Sequence, residues 1–260
     1  MLISTQAEPS YFRADNAALL QRYDTYFSSR KADTLELMDR AFALRYQVYC
    51  LERQFEDPSQ HHNRLETDAF DPQAVHALVF HRPTAEAIGT ARLILSPRET
   101  ARLPMLDILR AGGLDGAAYF PVHTTAEVSR FAITRQFVRA RRTESANVAD
   151  GHGASRDASP GANLPCLGLI QSLVRLSVEC GITHWAAVME PKLLRMLAIM
   201  GIHFTPIGPL VSHHGLRQPC YCNLADMLET LLFERPDNWS VVTNGGSLCC
   251  SMEQATRLAA

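Results

Sequence analysis

The sequence predicts one α/β domain with a mixed sheet and helices on both faces. Its pattern runs helix, paired strands, then strand, loop, helix, strand, helix and two further strands, which is typical of this class. Of its 260 residues, 47% are hydrophobic and 20% are charged, which is a globular composition. A chain of this length buries roughly 70–75% of its unfolded surface, so a sizeable core is available.

The first half begins with a helix and a pair of strands. Asp33 and Glu36 stand at capping-box spacing, and apolar residues recur at helical spacing to about residue 52. Residues 52–73 are polar and irregular, which indicates a long ordered loop of the kind that often carries function. Strands are expected at 74–81, 88–95 and 127–133, and a short helix at 103–109.

The second half alternates helices and strands. Asn163 and Gly181 bound a helix as its cap and its stop, and Pro191 starts another helix that ends at Gly201. This Pro191 helix is apolar almost all round, which predicts that it is buried. Further strands are expected at 182–189, 203–207 and 220–223, and a last helix at 224–233.

Composition also suggests how the chain is divided. We expect a polar leader at 1–30, one principal domain at 31–235 and an extension at 236–260. Residues 143–163 consist mainly of Ala, Ser and Gly, so they bury too little apolar surface to offset their ordering entropy. This segment is expected to be a flexible insertion within the domain.

Several classes of protein are excluded by charge and hydropathy. The net charge is −2 and the pI is about 6.5, whereas nucleic-acid binding needs clustered Lys and Arg. No apolar run of about 18 residues predicts a transmembrane segment, although peripheral membrane contact stays open. No secretory signal is recognisable, and seven cysteines without a Cys-x-x-Cys motif favour reduced thiols. We therefore expect a cytoplasmic protein.

Two segments carry opposite charge. Residues 52–73 hold six acidic residues and two arginines, net −4, whereas residues 127–142 hold five arginines and one glutamate, net +4. The acidic segment suits an amine-bearing substrate, and the basic one suits a phosphate or an acidic partner protein. Solvated faces show the same pattern, so both interpretations stay open.

The strand at 127–133 is unusually polar. Alternation places Glu127, Ser129 and Phe131 on one face and Arg130 on the other. Charges inside a buried strand are costly unless they are paired or functional. Glu127 could therefore form a buried ion pair with Arg92 or Arg130 that only stabilises the sheet. Alternatively, these charges could belong to an active site.

Five short motifs in the first half carry a resemblance to known enzymes. They are Arg45-x-x-Val48-Tyr49, Phe55, Glu66-x-Asp68-x-x-Asp71, Gly89-Thr90-Ala91-Arg92-Leu93 and Glu127-Val128-Ser129-Arg130-Phe131. In this order they resemble the acyl-homoserine lactone (autoinducer) synthases and the N-acyl amino acid synthases, within the GNAT-like acyltransferases. In the second half, GITHWAAVMEPKLLRML, GIHFTPIGP and HGLRQP are similar to acyltransferases associated with the PEP-CTERM/exosortase protein-sorting system.

The resemblance implies a GNAT-like fold with a mostly antiparallel sheet. It also implies an N-acyltransferase that moves a fatty acyl group from an acyl-carrier-protein or acyl-CoA thioester to the amine of an amino-acid-like acceptor, with no bound cofactor or metal. Glu127 would be the general base, acting directly or through water. Substrate-binding roles fall on Arg45, Phe55, Glu66, Asp68, Asp71, Arg92, Ser129, Arg130 and Phe131.

Individual roles within this set keep alternatives. Asp68 and Asp71 would hold the substrate ammonium or order the loop. Arg92 and Arg130 would pair with these carboxylates, and either could meet a substrate carboxylate in a bidentate contact. Ser129 would donate to the acyl carbonyl or only fill the sheet.

Two departures from the family patterns bear on the substrates. Common GNAT enzymes have a Gly-rich turn after this strand that cradles a pyrophosphate, but the run here is TRQFVRARR. That favours an acidic carrier-protein donor, docked on Arg135, Arg139, Arg141 and Arg142. Phe55 stands where the lactone synthases have Trp, which weakens the case for homoserine-lactone chemistry.

Three alternatives stay open. A zinc site is suggested by His213-His214 near Cys220-x-Cys222, but this spacing is atypical and buried strand cysteines are more often small hydrophobes. A non-catalytic acyl-binding sensor of the same fold is the second alternative. An acetyl-CoA-dependent N-acetyltransferase is the third.

Overall fold

Eight strands form one sheet in the part of the chain that the computed structural model describes, which is residues 14–96, 103–139, 163–212 and 215–249. The strands are β1 (Phe27–Lys31), β2 (Ala74–His81), β3 (Glu86–Leu95), β4 (Thr125–Ile133), β5 (His184–Met189), β6 (Thr205–Pro206), β7 (Val211–Ser212) and β8 (Leu216–Asn223). Their order is β1-β2-β3-β4-β5-β8-β6, and β7 pairs with β8. Only β4 and β5 run parallel, so the predicted mixed, mostly antiparallel sheet is confirmed.

Helices cover both faces of this sheet. They are α1 (Ala14–Tyr26), α2 (Leu35–Arg45), α3 (Pro104–Ala111), α4 (135–139), α5 (Leu164–Cys180), α6 (Pro191–Ile199), α7 (Leu224–Glu234) and α8 (Pro236–Val242). On one face, α5 packs against β1, β2 and β3, and α8 packs against α5 and α1. This side holds the main hydrophobic core. On the other face, α2 packs on β2 and β3, and α3 packs on β5.

Helix α2 and the loop after it differ slightly from the prediction. The N-cap is Thr34 and not Asp33, because the Thr34 hydroxyl accepts from the backbone N–H of Leu37. The helix then continues as a π-helical segment, Tyr46–Glu52, so its predicted end is confirmed. Residues 53–73 form the expected long loop, with short 3₁₀ turns at Pro58–Gln60 and Asp71–Gln73.

Helix α6 is less buried than its composition predicts. Leu197 is buried, but Met196 and Ile199 are exposed. The helix packs on β8, close to the end of the sheet, so one side meets a partner and the other meets water. Gly181 ends α5 in the left-handed conformation, as predicted, whereas Asn163 takes the N-cap position without a side-chain cap hydrogen bond.

The two ends of the described chain pack onto the domain. The segment expected as a polar leader contributes α1 and the edge strand β1, and Tyr23 and Phe27 are buried in the main core. Part of the expected extension forms α8, where Val241 and Val242 are buried in the same core. The expected insertion lies outside the described residues except for Asn163. No helix in the described ranges is long and apolar enough to cross a bilayer.

Candidate active site

A bulge in β4 decides where its polar side chains lie. Thr90 pairs with Ala132 and Arg92 with Ser129, so two β4 residues oppose the single β3 residue between them. Arg130 has φ of 50°, a conformation that is uncommon outside glycine. The predicted alternation is therefore wrong after Ser129. Arg130 joins the face of Glu127, and Phe131 packs against the main core on the opposite face.

The bulge brings Arg130 into a group of buried charges that we call the ion cluster. Its members are Arg45, Glu56, Glu66, Asp68, Asp71, Arg92 and Arg130. Helix α2 contributes Arg45, which is 0% exposed, and β3 contributes Arg92, which is 2% exposed. The carboxylates come from the acidic loop, which a backbone hydrogen bond from Glu66 to Phe42 anchors to α2. The sequence motifs therefore converge in space.

Arg92 uses every guanidinium nitrogen within this cluster. Its Nη1 and Nη2 donate to the two Asp68 oxygens at 2.7 and 2.6 Å, and its Nε donates to Ser129 Oγ at 2.9 Å. Its Nη1 also donates to Asp71. Arg45 donates from Nη1 to the same Asp71 oxygen at 2.6 Å and from Nε to Glu66. These bonds tie Asp71 to α2 and β3 at once, Glu66 to α2 and Asp68 to β3.

Arg130 closes the cluster from β4. Its Nη2 donates to Glu66 Oε1 at 2.8 Å and lies 3.2 Å from Asp68 Oδ2 and 3.4 Å from Glu56 Oε1. Its guanidinium carbon sits 5.3 Å from the centroid of the Tyr49 ring. Glu56 was not among the sequence-predicted site residues, because an isolated loop glutamate carries no local signal.

Hydrogen bonds fix the charge state of the loop carboxylates. Burial alone would raise the pKa of Glu66, but hydrogen bonds from Arg130 and Arg45 outweigh it and lower that pKa to about 2. Burial acts in the same direction on Asp68, and the hydrogen bonds and charge of Arg92 likewise lower its pKa to about 2. Both groups are therefore ionised throughout the physiological range.

His76 is a buried neighbour that sequence reasoning missed. It pairs with Arg92 across β2 and β3, lies 3.6 Å from Asp71 Oδ1 and is 1% exposed. Neither ring nitrogen has a hydrogen-bond partner within the described structure, and Arg45 Nη2 is unpartnered too. Burial lowers the pKa of His76 to about 4, so the ring is neutral at pH 7. The available signal was a histidine between apolar residues of a buried strand.

Glu127 lies next to this cluster but is held differently. Its Oε2 accepts the backbone N–H of Met105, in the first turn of α3, at 2.7 Å. Burial raises the pKa of Glu127 to about 7, although that hydrogen bond and the charge of Arg92 oppose the shift. A carboxyl with this pKa can accept and return a proton near neutral pH.

Strands β4 and β5 separate at Glu127. They pair only from Thr125 with His184 to Glu127 with Ala186, although both strands continue beyond this point. The backbone groups that would form the next rungs between them are therefore available to a ligand. A carboxyl with a raised pKa thus stands where the sheet opens.

Phe55 contacts Tyr49 and Arg217, which come from different elements. Its ring is 6.4 Å from the Tyr49 ring and 5.3 Å from the guanidinium carbon of Arg217 on β8. An open pocket of about 460 Å³ includes Phe55 and Glu56 in its lining. Arg217 was not among the predicted site residues, although it belongs to the HGLRQP segment.

The predicted docking arginines fall partly within the described chain. Arg135 and Arg139 belong to α4 and line an open pocket of about 410 Å³, together with Gln47 and Glu52. Arg135 also donates from its backbone N–H to Glu52 Oε2 at 2.9 Å. Arg141 and Arg142 lie outside the described residues.

Cysteine positions bear on the zinc alternative. Cys220 and Cys222 are buried in the main core, where burial raises the pKa of Cys220 to about 12. They are packed as small hydrophobes. His213 and His214 lie outside the described residues, and within those residues no group of three or more His, Cys, Asp and Glu could hold a metal ion.

Residues 44–147, from the last two residues of α2 to the segment after β4, match the acetyltransferase (GNAT) domain family. The predicted GNAT-like fold and the acyltransferase class are thereby confirmed. Comparison with curated protein sequences gives no match.

Solved structures with this fold include enzymes of both predicted groups. TofI, solved with an inhibitor and MTA, is 21% identical, with a TM-score of 0.55 over 79% of this chain and 96% of TofI. FeeM, an N-acyl amino acid synthase from uncultured soil microbes, is 18% identical, with a TM-score of 0.52 over 80% of this chain and 97% of FeeM. BjaI, a CoA-dependent acyl-homoserine lactone synthase solved with SAM and isopentyl-CoA, is 17% identical, with a TM-score of 0.53 over 84% of this chain and 98% of BjaI. At these identities the likeness shows a common fold.

Proposed function

We propose that this GNAT domain transfers a fatty acyl group from a thioester to the amine of an amino-acid-like acceptor, in the cytoplasm, with Glu127 as general base. The observation that carries the proposal is the position of Glu127. A buried carboxyl whose pKa is raised to about 7 lies where β4 and β5 separate, beside the ion cluster. N-acyl transfer needs such a group because an ammonium must lose a proton before it can attack.

The reaction follows from this arrangement. Glu127 takes a proton from the acceptor ammonium, directly or through water, and the amine attacks the thioester carbonyl carbon. The C–S bond breaks as the tetrahedral intermediate collapses, so an amide forms and a thiol leaves. The ammonium loses two of its three protons. One ends on the thiolate, and the other reaches solvent through Glu127. Ser129 accepts from Arg92 Nε, which leaves its O–H free to donate to the developing oxyanion.

The ion cluster favours a cationic acceptor group. Three arginines face four carboxylates in it, which leaves one excess negative charge next to Glu127. Asp68 is 24% exposed, so of the cluster's aspartates it is the more accessible to an ammonium. We therefore assign Asp68 to ammonium binding, and Arg45, Glu66, Asp71 and Arg92 to holding the loop and the sheet in place.

For the donor, we propose an acyl-carrier protein in preference to CoA. Arg135 and Arg139 line an open pocket after β4, where an acidic carrier surface would find complementary charge. The basic run to Arg142 and the lack of a glycine turn support the same choice. The similarity in the second half of the chain supports the exosortase-associated branch over homoserine-lactone synthesis.

The test is acyl transfer by the purified protein with long-chain acyl-carrier protein or acyl-CoA and a panel of amino acids. Free thiol and the N-acyl product would be followed by absorbance and mass spectrometry. Glu127→Gln should reduce kcat about 10²- to 10⁴-fold while donor binding and folding stay unchanged. In the parent protein, kcat/KM should rise with pH through about 7, because the deprotonated carboxyl is the active form.

The result distinguishes the proposal from its alternatives. Parent-like turnover in Glu127→Gln would show that Glu127 is not the base. Donor binding without thiol release for any amine would favour the acyl-binding sensor, and selective use of acetyl-CoA would favour the N-acetyltransferase. A carrier-protein KM that is insensitive to salt would place donor docking away from the arginines.

A further inference from the structure

The part of the chain from α6 to β8 departs in charge from the rest. Residues 191–223 contain Lys192, Arg195 and Arg217 but neither Asp nor Glu, so their formal charge is +3 with neutral histidines. The whole chain has 27 acidic residues among 260, so a stretch of this length would hold about three of them at the average frequency. We call residues 191–223 the α6–β8 segment. Its charge suits an anionic partner.

Apolar side chains are also exposed on the α6–β8 segment. Ile199 is 70% exposed, Leu216 63%, Leu210 47% and Met196 36%. These are four of the ten large exposed hydrophobic residues in the described part of the chain, although the segment is only about an eighth of the sequence. Exposed apolar side chains gathered in one region mark a surface for a protein or a membrane.

Helix α6 arranges part of this surface as a stripe. One helix face carries Lys192, Arg195, Met196 and Ile199, which follow the spacing i, i+3, i+4 and i+7. All four residues are exposed, and we call them the α6 stripe. On the opposite face of the helix, Leu197 is buried in the main core. The stripe therefore points away from the sheet.

The hairpin of β7 and β8 adds apolar side chains beside this helix. In β8, Leu216 alternates in phase with Cys220 and Cys222, which are buried in the main core. Helix α6 packs on the same core through Leu197, so Leu216 and the α6 stripe lie on one side of the sheet. Leu210 precedes β7, which pairs with the first residues of β8. The stripe and the hairpin thus belong to adjoining elements.

Two glutamates outside the α6–β8 segment are paired with side chains within it. Glu190 Oε1 lies 3.5 Å from Arg217 Nη2, and Glu234 Oε2 lies 2.7 Å from His203 Nε2. Both carboxylates are therefore engaged locally. The α6 stripe itself consists of positive and apolar side chains.

The surface proposed for carrier-protein docking lies near the other end of the sheet. Helix α4 packs Phe137 against Phe27 of β1 and His81 of β2, with ring centroids 5.9 and 5.2 Å apart. Strand β8 lies near the opposite end of the strand order. An acidic carrier bound at α4 would therefore leave the α6–β8 segment free for another partner.

We propose that the α6–β8 segment binds the surface of an anionic lipid bilayer. Lys192 and Arg195 lie among the headgroup phosphates, while Ile199 and Leu216 enter the boundary with the acyl chains. A bilayer fits this surface better than an acidic protein does, because a helix face and a hairpin can enter a fluid interface together without a partner of matching shape. The inference goes beyond the proposed function, and its evidence does not depend on it. Where both hold, the amphiphilic N-acyl product forms beside the membrane into which it partitions.

The experiment is cosedimentation of the full chain with sucrose-loaded phosphatidylcholine vesicles, with and without about one-third phosphatidylglycerol. The parent protein should prefer the anionic vesicles, and high salt should weaken the binding. The double variant Lys192→Gln/Arg195→Gln should lower the partition coefficient on anionic vesicles about 10- to 30-fold, because two headgroup contacts are lost. Ile199→Ser/Leu216→Ser should lower it about 10-fold, because less apolar surface enters the interface.

The matched control changes the same residue types on α2, which packs on the other face of the sheet. Leu35 is 87% exposed and Arg40 is an exposed arginine, so Leu35→Ser/Arg40→Gln should bind vesicles as the parent does. Circular dichroism checks that each variant is folded. All variants should keep the parent kcat with soluble substrates, because none of the changed residues contacts the ion cluster or Glu127 in the described structure.

Several results would overturn the inference. One is the absence of binding to anionic vesicles at low salt, and another is equal binding to both kinds of vesicle. Parent-like binding by both double variants would place the membrane contact elsewhere. A dimer that dissociates in Ile199→Ser/Leu216→Ser, seen by light scattering in the absence of vesicle binding, would assign this surface to a second copy of the chain. Vesicle binding uses neither donor nor acceptor, so a failure of acyl transfer would refute the proposed function and leave this inference standing.

Discussion

The ion cluster and Glu127 are neighbours on one sheet face, yet the pKa values of their carboxyls are shifted in opposite directions. In the cluster, each buried carboxylate meets at least one guanidinium, and the pKa values of Glu66 and Asp68 fall to about 2. Glu127 is also buried, but its described hydrogen bond comes from a neutral backbone N–H, and its pKa rises to about 7. Paired charges form a scaffold with a fixed charge state, whereas an unpaired carboxyl can exchange a proton.

Removing a scaffold charge should have the largest effect on stability. Arg45→Met leaves only Arg92 and Arg130 to face the four carboxylates of the cluster, so we expect a loss of about 3–5 kcal/mol in the free energy of unfolding. Arg40→Met on the same helix removes only an exposed pair with Glu36 and should cost about 0.5 kcal/mol or less. Urea unfolding of both variants measures the difference, and equal losses would mean that the cluster does not stabilise the fold.

Replacing Glu127 should change the free energy of unfolding with a pH dependence opposite to that expected for Glu66. Because its folded pKa of about 7 exceeds the ordinary 4.5, its contribution is fully present below about pH 4.5 and is lost as pH rises through 7. Glu127→Gln should therefore match the parent near pH 4.5 and exceed its stability by up to about 3 kcal/mol near pH 8. Unfolding midpoints across this range test it. Glu66→Gln should instead destabilise near pH 8, since the pKa of Glu66 is lowered.

Replacing His76 should have the smallest effect, although it is as buried as Arg45. Within the described structure both ring nitrogens lack a hydrogen-bond partner, so His76→Leu removes no hydrogen bond. We expect a change within about 1 kcal/mol in the free energy of unfolding. A loss near that of Arg45→Met would show that His76 supports Asp71 directly.

Much of the fold followed from local patterns. The apolar runs at β2 and β3, the glycine stop of α5 and the proline start of α6 each acted within a few neighbouring residues, and the structure agrees with them. The errors arose where distant contacts decide. Burial of α6 depends on its place near the end of the sheet, and the helix and strand at 14–31 depend on a core that they share with α5.

The site shows the same division. Motif order brought Arg45, Glu66, Asp68, Asp71 and Arg92 together as one candidate set, and they do meet in one cluster. Strand alternation misplaced Arg130 and Phe131, because the bulge is set by pairing with β3 and not by the β4 sequence alone. Neither Arg217 nor His76 was assigned to the site, because only the folded chain places Arg217 beside Phe55 and His76 beside Asp71.

By itself, the sequence determined the element types, the mixed sheet and the residue types available for acyl-transfer chemistry. Those properties come from periodicity and from side-chain chemistry, which act locally. Only the tertiary structure decided that the loop carboxylates pair with arginine and that Glu127, within the described residues, accepts a backbone N–H instead. That choice depends on distances of a few ångströms between segments far apart in the chain, and burial then turns those distances into charge states.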